Sequence, residues 1–451
     1  MHTNTLLTAP LRLLPAILAA LSLLLAACSD HDEQPQRIVD ADRTVLVYMP
    51  WTGSTTSSSK SLYNEFLNNI RDIEAAIGQS GGLGKTRLLV FISQWSDRAT
   101  LIDIWHDGTN CRRDTLKHYT TPTPTTTEAI LTVLRDAYRI SPTPQYSMIV
   151  GSHGSGWMPA GSHPWKARAF GGTEKATQTE IADFAKAIEL SPMKKLNYLC
   201  FDDCYMANIE TAYALRHVTN YFLGSTSEVM SAGLPYRTVW HALSAEPDYA
   251  SVCSNFLAFY SSYSMPYGTF TAIDCQATEQ LAALMRQANA TYTLAPADAE
   301  SVMPLDGFPQ HVFFDMKSYA TQLCQGSQLG DDIARAIEQA VIATVTTPLL
   351  YSIYMPGDHT FPGEGSCGIT ISDPSTNKDA IETKTATEWW RATHRYQKSL
   401  HHPFQYSRAS LRTSPRSQIR EFSAPLKGSA AYHKPTNRTH SAPKFTIGSI
   451  F

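Results

Sequence analysis

Short apolar runs rich in β-branched residues alternate with segments of helical periodicity between residues 44 and 225, and this alternation limits the fold more than any other feature. The strand-like runs are at residues 44–49, 86–92, 100–105, 146–152, 196–201 and 221–225, and the helical segments are at residues 61–77, 127–138, 178–190 and 206–218. Runs that are apolar throughout are typical of strands buried on both faces. The pattern therefore predicts an α/β fold with a mainly parallel sheet covered by helices on both faces.

The pattern becomes less regular after residue 243. Strands are predicted at residues 270–274 and 369–372, helices at residues 279–290 and 331–343, and a last amphipathic helix around residues 389–396. We interpret residues 43–243 as the main domain and residues 244–405 as a smaller C-terminal α/β portion packed on it. Residues 406–451 are rich in Ser, Pro, Arg and Lys, and we expect them to form a basic, poorly ordered tail.

An N-terminal apolar run resembles a bacterial lipoprotein signal. Residues 13–27 are almost wholly apolar, short for a membrane span, and end in Leu-Ala-Ala before Cys28. We expect residues 1–27 to be removed as a signal peptide and Cys28 to carry a lipid that binds a membrane, followed by a polar tether over residues 28–42. Ordinary cleavage that leaves a free Cys28 is the alternative. The acidic stretch after Cys28 resembles the leader of surface-exposed lipoproteins, so we expect the outer membrane of a bacterial envelope.

Composition and cysteine spacing exclude several classes of function. Hydrophobic residues make up 43% of the chain and charged residues 17%, and the net charge is −3, which gives no sign of a nucleic-acid partner. Besides Cys28, the cysteines have irregular spacing and no C-x-x-C pair, which argues against a zinc knuckle and a dense disulfide scaffold. One or two disulfides remain open in an exported protein. The run Gly154-Ser155-Gly156 is too short for the nucleophile elbow of a serine hydrolase, and the absence of an H-E-x-x-H motif argues against a zinc peptidase.

Two successive predicted strands end in reactive side chains. His153 follows the strand at residues 146–152, and Cys204 follows the strand at residues 196–201. Because the carboxyl ends of parallel strands lie at one edge of a sheet, we expect these side chains to meet there. A thiol beside an imidazole can act as a nucleophile with its general base. We also expect the predicted helix from Met206 to favour the thiolate through its N-terminal dipole.

The segments around these residues resemble the two signatures of clostripain-type cysteine peptidases, which are relatives of caspases and gingipains. They read S-H-G-S-G-W from Ser152 to Trp157 and D-D-C-Y-M-A-N-I-E from Asp202 to Glu210. The likeness is close over residues 43–240 and loose beyond them. It implies a caspase-like sheet, a Cys/His dyad, and protein or peptide substrates that are cut after Arg or Lys. We expect the protein to be a monomer.

The resemblance implies a role for each matched residue. His153 would be the catalytic base and Cys204 the nucleophile, and backbone N–H groups of Gly154 and Cys204 would hold the oxyanion. Asp202 matches the acidic residue that receives the basic substrate side chain. The alternative role of Asp202 is to cap the following helix. Glu228 is a candidate for a second pocket carboxylate, and the alternative is an exposed surface residue.

One residue near the predicted nucleophile departs from the family pattern. Asp203 stands where the family commonly has a small residue such as Ala, and a second carboxylate there would raise the pKa of the thiol. The side chain of Asp203 could instead point away and cap the helix.

Family members can cut themselves between the two catalytic strands, where Lys166 and Arg168 are candidate sites.

The sequence leaves two possibilities for the cofactor and two for the function. Some family members need calcium, but no D-x-D-x-D-G loop is present, so we expect no required cofactor and leave calcium open. The primary prediction is an envelope-anchored cysteine endopeptidase. The alternative is a caspase-like lipoprotein without activity that acts as a binding or scaffold module.

Overall fold

A computed structural model describes residues 40–160 and 170–394 of the chain. The strands are β1 (Arg43–Met49), β2 (Thr86–Trp95), β3 (Arg98–His106), β4 (Cys111–Tyr119), β5 (Gln145–Gly151), β6 (His153–Gly154), β7 (Phe170–Gly171), β8 (Gln178–Thr179), β9 (Leu196–Asp202), β10 (Thr219–Gly224), β11 (Thr269–Asp274), β12 (Phe314–Asp315), β13 (Val341–Thr346), β14 (Leu349–Tyr351), β15 (Thr360–Pro362) and β16 (Thr370–Ile371). The helices are α1 (Tyr63–Gln79), α2 (Thr127–Ile140), α3 (Ile181–Leu190), α4 (Ile209–Leu215), α5 (Tyr236–Ser244), α6 (Tyr249–Ser262), α7 (Ala277–Thr291), α8 (Pro296–Ala299), α9 (Met316–Cys324), α10 (Gln328–Ala340), α11 (Lys378–Thr383) and α12 (Glu388–Thr393).

A nine-stranded sheet forms the centre of the fold, in the order β13-β11-β10-β9-β5-β1-β2-β3-β4. The five central strands, from β10 to β2, run parallel to one another. The outer strands β11 and β13 on one side, and β3 and β4 on the other, pair antiparallel. This arrangement confirms the predicted α/β fold with a mainly parallel, caspase-like sheet.

The apolar character of the central strands follows from burial on both faces. In β1, Leu46 and Tyr48 pack into a cluster with α2, α3 and α7, whereas Val45 and Val47 pack into a second cluster with α1, α5 and α6. Side chains alternate between the two faces of a strand, so a strand covered by helices on both sides needs apolar residues at every position. The helices on both faces therefore account for the uninterrupted apolar runs in the sequence.

The region after residue 243 contributes to the same sheet. Its strands β11 and β13 extend the sheet beyond β10, and the pairs β12–β16 and β14–β15 form two small separate sheets. The main sheet is therefore continuous across the domain boundary that the sequence predicts at residue 243, and the division into domains stays a prediction.

Several sequence-based predictions fall on residues that the structure does not describe. They are the signal peptide, the lipidation at Cys28, most of the tether, the self-cleavage candidates Lys166 and Arg168, and the tail at residues 406–451. Within residues 40–160 and 170–394, no helix combines the length and the apolar character that crossing a bilayer would require.

Candidate active site

The two predicted reactive segments meet at the carboxyl ends of neighbouring strands. The last residue of β5 lies opposite the last residue of β9, so the segments that follow leave the sheet side by side. The hydroxyl of Ser152 donates a hydrogen bond to Asp203, with 2.7 Å between Oγ and Oδ2. A Cβ atom at Gly154 would lie 2.5 Å from the carbonyl oxygen of Cys204. Glycine is therefore required where the His153 segment touches the Cys204 segment.

A backbone carbonyl orients the imidazole of His153. The ring is buried, and its Nε2 atom lies 2.8 Å from the carbonyl oxygen of Lys60, in the loop between β1 and α1. A carbonyl oxygen only accepts hydrogen bonds, so Nε2 carries the proton and Nδ1 is the basic nitrogen of the neutral ring. Lys60 itself has a left-handed φ of 63°. The first crossover loop of the sheet thus fixes the tautomer of His153.

The sulfur of Cys204 contacts the chain that follows β10. The N–H of Val229 donates to the sulfur with 3.3 Å between N and Sγ, and Sγ lies 3.9 Å from the carbonyl oxygen of the same residue. Burial raises the pKa of the Cys204 thiol well above its ordinary value, and the carboxylate of Glu228 adds to the rise. The Val229 N–H has the opposite effect, because it stabilises the thiolate. The thiol therefore needs a base before it can attack.

The helix after Cys204 begins later than the sequence predicts. Helix α4 starts at Ile209 and is capped by Asn208, whose side chain accepts a backbone N–H. The residue directly after Cys204 is not helical, because Tyr205 has a left-handed φ of 62°. A helix dipole acts only within the first turn, so the prediction that it favours the Cys204 thiolate is wrong.

Asp202 is buried and accepts hydrogen bonds on both carboxylate oxygens. The N–H of Leu234 lies 2.8 Å from Oδ1, and the hydroxyl of Tyr236 lies 2.8 Å from Oδ2. Burial raises the pKa of Asp202 to about 6, although these two hydrogen bonds act to lower it. Asp202 does not cap α4, because Asn208 occupies that position, so the capping alternative is wrong. Its carboxylate faces the segment before α5, where a Cβ atom at Gly233 would lie 2.7 Å from Oδ2.

Asp203 raises the pKa of the Cys204 thiol, but less than Glu228 does. Its Oδ2 accepts the hydroxyl of Ser152, and its Oδ1 has no hydrogen-bond partner among the described residues. Burial raises the pKa of Asp203 well above its ordinary value, which favours the neutral carboxyl. Its influence on the pKa of Cys204 has the predicted upward sign, but Glu228 contributes more. Asp203 does not cap α4 either, because its side chain bonds to the segment after β5.

Glu228 lies in the site and not on the surface. It is 3% exposed, which shows that the alternative of an exposed surface residue is wrong. Its Oε1 accepts the hydroxyls of Tyr205 at 2.9 Å and Ser352 at 2.5 Å, and its Oε2 lies 3.4 Å from the N–H of Ile353. Burial raises the pKa of Glu228 to about 7, and the three hydrogen bonds act to lower it.

Several groups at the site carry no sequence signal of their own. The Lys60 carbonyl and the Val229 N–H are backbone groups, which every residue type offers. Ser352 reaches Glu228 from more than a hundred positions away along the chain. The signal that could have identified Tyr205 is its place directly after the nucleophile, and its ring stacks on Phe313 with 5.0 Å between centroids.

The acidic residues of the site do not fit a calcium ion. Within the described residues, no group of three or more His, Cys, Asp and Glu side chains is arranged to hold a metal. Asp202 accepts one N–H and one O–H donor, and Glu228 accepts two hydroxyls, but a carboxylate has about four acceptor positions and can still bind further donors. These carboxylates act as hydrogen-bond acceptors for groups of the protein itself.

Comparisons with known proteins identify relatives of this chain. Residues 57–400 match the family model described as the clostripain family. A secreted C11 cysteine protease from Bacteroides thetaiotaomicron, "iotapain", is 37% identical, with a TM-score of 0.73 over 79% of this chain and all of that structure. No curated protein matches the chain at a significant level.

Two more distant structures share the fold. An inactive zymogen C11 protease from Parabacteroides distasonis is 23% identical, with a TM-score of 0.68 over 80% of this chain and all of that one. A secreted C11 cysteine protease from Bacteroides thetaiotaomicron, in complex with an irreversible peptide inhibitor, is 22% identical, with a TM-score of 0.66 over 78% of this chain and 99% of that one.

Proposed function

Because the chain belongs to the clostripain family of cysteine peptidases, we propose that it is an endopeptidase that cuts after Arg or Lys, with Cys204 as the nucleophile and His153 as the general base. Family membership makes the chain a hydrolase that acts on peptides. The assignment of residues rests mainly on the contact of the two strand ends, where Gly154 packs against the backbone of Cys204. No specific observation favours a scaffold without activity.

In the proposed reaction, His153 first takes the proton of the Cys204 thiol on Nδ1, while Nε2 stays bonded to the Lys60 carbonyl. The thiolate attacks the scissile carbonyl carbon, a C–S bond forms, and the π electrons move to the oxygen. Backbone N–H groups of Gly154 and Cys204 hold this oxyanion. The imidazolium protonates the departing amine as the C–N bond breaks, which leaves a thioester. A water molecule deprotonated by the same imidazole then releases the acid and restores the thiol.

Specificity for a basic residue is assigned to Asp202. Its carboxylate is buried two residues before the nucleophile, where it can pair with a guanidinium through two hydrogen bonds or with an ammonium as a point charge. A substrate cation would compensate a buried charge that two hydrogen bonds only partly stabilise. For Glu228, the role of second pocket carboxylate stays a prediction.

A panel of four fluorogenic peptides tests the substrate class. The peptides differ only in the residue before the cut, which is Arg, Lys, Asp or Ala, and each is assayed with added calcium and with a chelator. We expect rapid release after Arg and Lys and at least about a hundredfold slower release after Asp and Ala. Equal rates on all four peptides would contradict the assignment of specificity to a buried carboxylate. Activity only with calcium would show that the enzyme holds a metal through ligands other than a cluster of acidic, His and Cys side chains among the described residues.

We also propose that the enzyme is anchored to the cell envelope through lipid on Cys28 and that it cuts itself after Lys166 or Arg168. The sequence alone supports both steps. We expect intact-mass analysis of detergent-extracted protein to find an acylated N-terminus at Cys28 and two chains that meet within residues 166–169. A Cys28→Ala variant should appear in the soluble fraction. A fully active single chain would rule out the self-cleavage, and an unmodified Cys28 would rule out the anchor.

A further inference from the structure

The nucleophile and Glu228 belong to one closed ring of contacts. Cys204 is bonded through the chain to Tyr205, and the Tyr205 hydroxyl donates to Oε1 of Glu228 at 2.9 Å. Glu228 is bonded through the chain to Val229, and the Val229 N–H returns to the sulfur of Cys204 at 3.3 Å. The backbone closes the ring further, because the Tyr205 N–H donates to the carbonyl of Ser227 at 3.0 Å. The geometry at the sulfur therefore depends on the bond between Tyr205 and Glu228.

Groups outside the ring hold its members in place. Ser352 donates to the same Oε1 atom at 2.5 Å, which ties the segment after β14 to the ring. The Tyr205 ring packs against Phe308, at 5.4 Å between centroids, and against Phe313. Tyr205 also keeps a φ of 62°, a conformation that tyrosine adopts only when its surroundings impose it. The Tyr205 segment and the segment after β14 thus meet at the carboxylate of Glu228.

We propose that Glu228 is a positioning residue that holds the N–H of Val229 on the sulfur of Cys204, so that the thiolate formed during catalysis has a fixed hydrogen-bond donor. This inference rests on the proposed role of Cys204 as the nucleophile. A hydrogen bond to the charged form of a group stabilises that form, and a buried donor that is already in place needs no reorganisation. The proposal gives Glu228 a role through the loop that it anchors, without contact to the substrate.

The ring of contacts places a negative charge close to the nucleophile. The negative charge of Glu228 opposes the thiolate that the Val229 N–H supports, and it is the largest charge effect on the pKa of Cys204. Other titratable groups that face the ring are Asp202, Asp203 and Tyr260 near the sulfur, and Asp306 and Tyr351 near Glu228. The bond network and the charge therefore act in opposite directions on the nucleophile, and suitable variants can separate them.

Two variants of the full chain separate the positioning role from a pocket role. Glu228→Gln keeps an oxygen at Oε1, which accepts both short hydrogen bonds, but removes the charge. Tyr205→Phe keeps the charge but removes one bond of the ring. The main readout is the pH dependence of Cys204 alkylation by iodoacetamide, followed by mass spectrometry of the peptide that contains Cys204, so that no peptide substrate is needed. Thermal unfolding of each variant reports whether the fold is retained.

For positioning, we expect Glu228→Gln to lower the midpoint of Cys204 alkylation by about one pH unit, because a nearby negative charge is lost. We expect Tyr205→Phe to raise this midpoint and to lower kcat about tenfold, with KM for the Arg peptide changed less than about twofold. If Glu228 instead receives the substrate cation, Glu228→Gln will raise KM for the Arg peptide at least about tenfold, and Tyr205→Phe will leave the alkylation midpoint and kcat unchanged, which would overturn the proposal. Unchanged alkylation in both variants would overturn it as well. Failure of the peptidase assignment would show separately, as a wild-type protein that is alkylated at Cys204 but cuts no peptide.

Discussion

Replacing Cys204 with alanine is expected to lower the rate of peptide cleavage by roughly 10⁴-fold or more, because the variant lacks the thiol that forms the covalent intermediate. His153→Ala should cause a loss of similar size, since the thiol of Cys204 has a raised pKa and needs a base at neutral pH. The double variant should be no slower than either single variant, because a nucleophile and its base act as one unit. The measurement is kcat/KM on the Arg peptide.

Matched controls come from elsewhere in the same chain. Cys111 and His118 both lie on the edge strand β4, on the far side of the sheet order from β9. Alanine at either position should leave kcat/KM within about twofold of wild type, because neither residue is near the site. Activity that survives in Cys204→Ala would mean that another nucleophile or a contaminating peptidase is responsible.

The central strands were predictable because burial on both faces leaves an uninterrupted apolar run in the sequence. The predicted strand at residues 196–201 corresponds to β9, and the predicted strand at residues 86–92 corresponds to β2. The strand β4 was not predicted, since its sequence CRRDTLKHY is mostly charged or polar and mostly exposed at the sheet edge. Charged residues on an edge strand discourage pairing with other chains, and they also hide the strand from an analysis of apolar patterns.

The boundary between α10 and β13 shows a second limit of predicting secondary structure from the local sequence. The sequence predicts one helix over residues 331–343, whereas the structure ends α10 at Ala340 and starts β13 at Val341 with no intervening loop. The run VIATVT consists largely of β-branched residues, which favour a strand, but its first residues continue the apolar spacing of the helix. Pairing with β11 decides the conformation, and the local sequence does not contain that information.

The residues of the site could be predicted from the sequence, but their contacts could not. His153, Cys204, Gly154, Asp202 and Glu228 are singled out by the order of residues at strand ends and by the resemblance to a family. Their contacts depend on chain segments that the motif does not include, such as the Tyr236 hydroxyl on Asp202. The start of α4 was misplaced for a related reason. The residues after Cys204 continue an apolar pattern, but they turn through a left-handed Tyr205 to meet the segment after β10.

Replacing Asp202 with asparagine should remove the preference for basic residues. The side chain keeps its shape and can still accept the N–H of Leu234, but it loses the charge that pairs with the substrate. We expect kcat/KM for the Arg peptide to fall roughly 10³-fold while the slow rate on the Ala peptide stays the same, because an unpaired cation would then have to be desolvated. Asp203→Asn is the matched control, since Asp203 is also buried and adjacent but bonds to Ser152. It should preserve the ratio of the Arg rate to the Ala rate.

The pH dependence of the same ratio provides a test without mutation. The pKa of Asp202 is raised by burial to about 6, so its carboxylate is charged above that pH and becomes neutral below it. We therefore expect the ratio of kcat/KM for the Arg peptide to that for the Ala peptide to fall as the pH drops through about 6, whereas the ratio in Asp202→Asn should not vary with pH. A bound basic side chain stabilises the carboxylate, so kcat should persist to lower pH than kcat/KM. A ratio that is constant from pH 5 to 8 in the wild type would assign the basic specificity to a group other than Asp202.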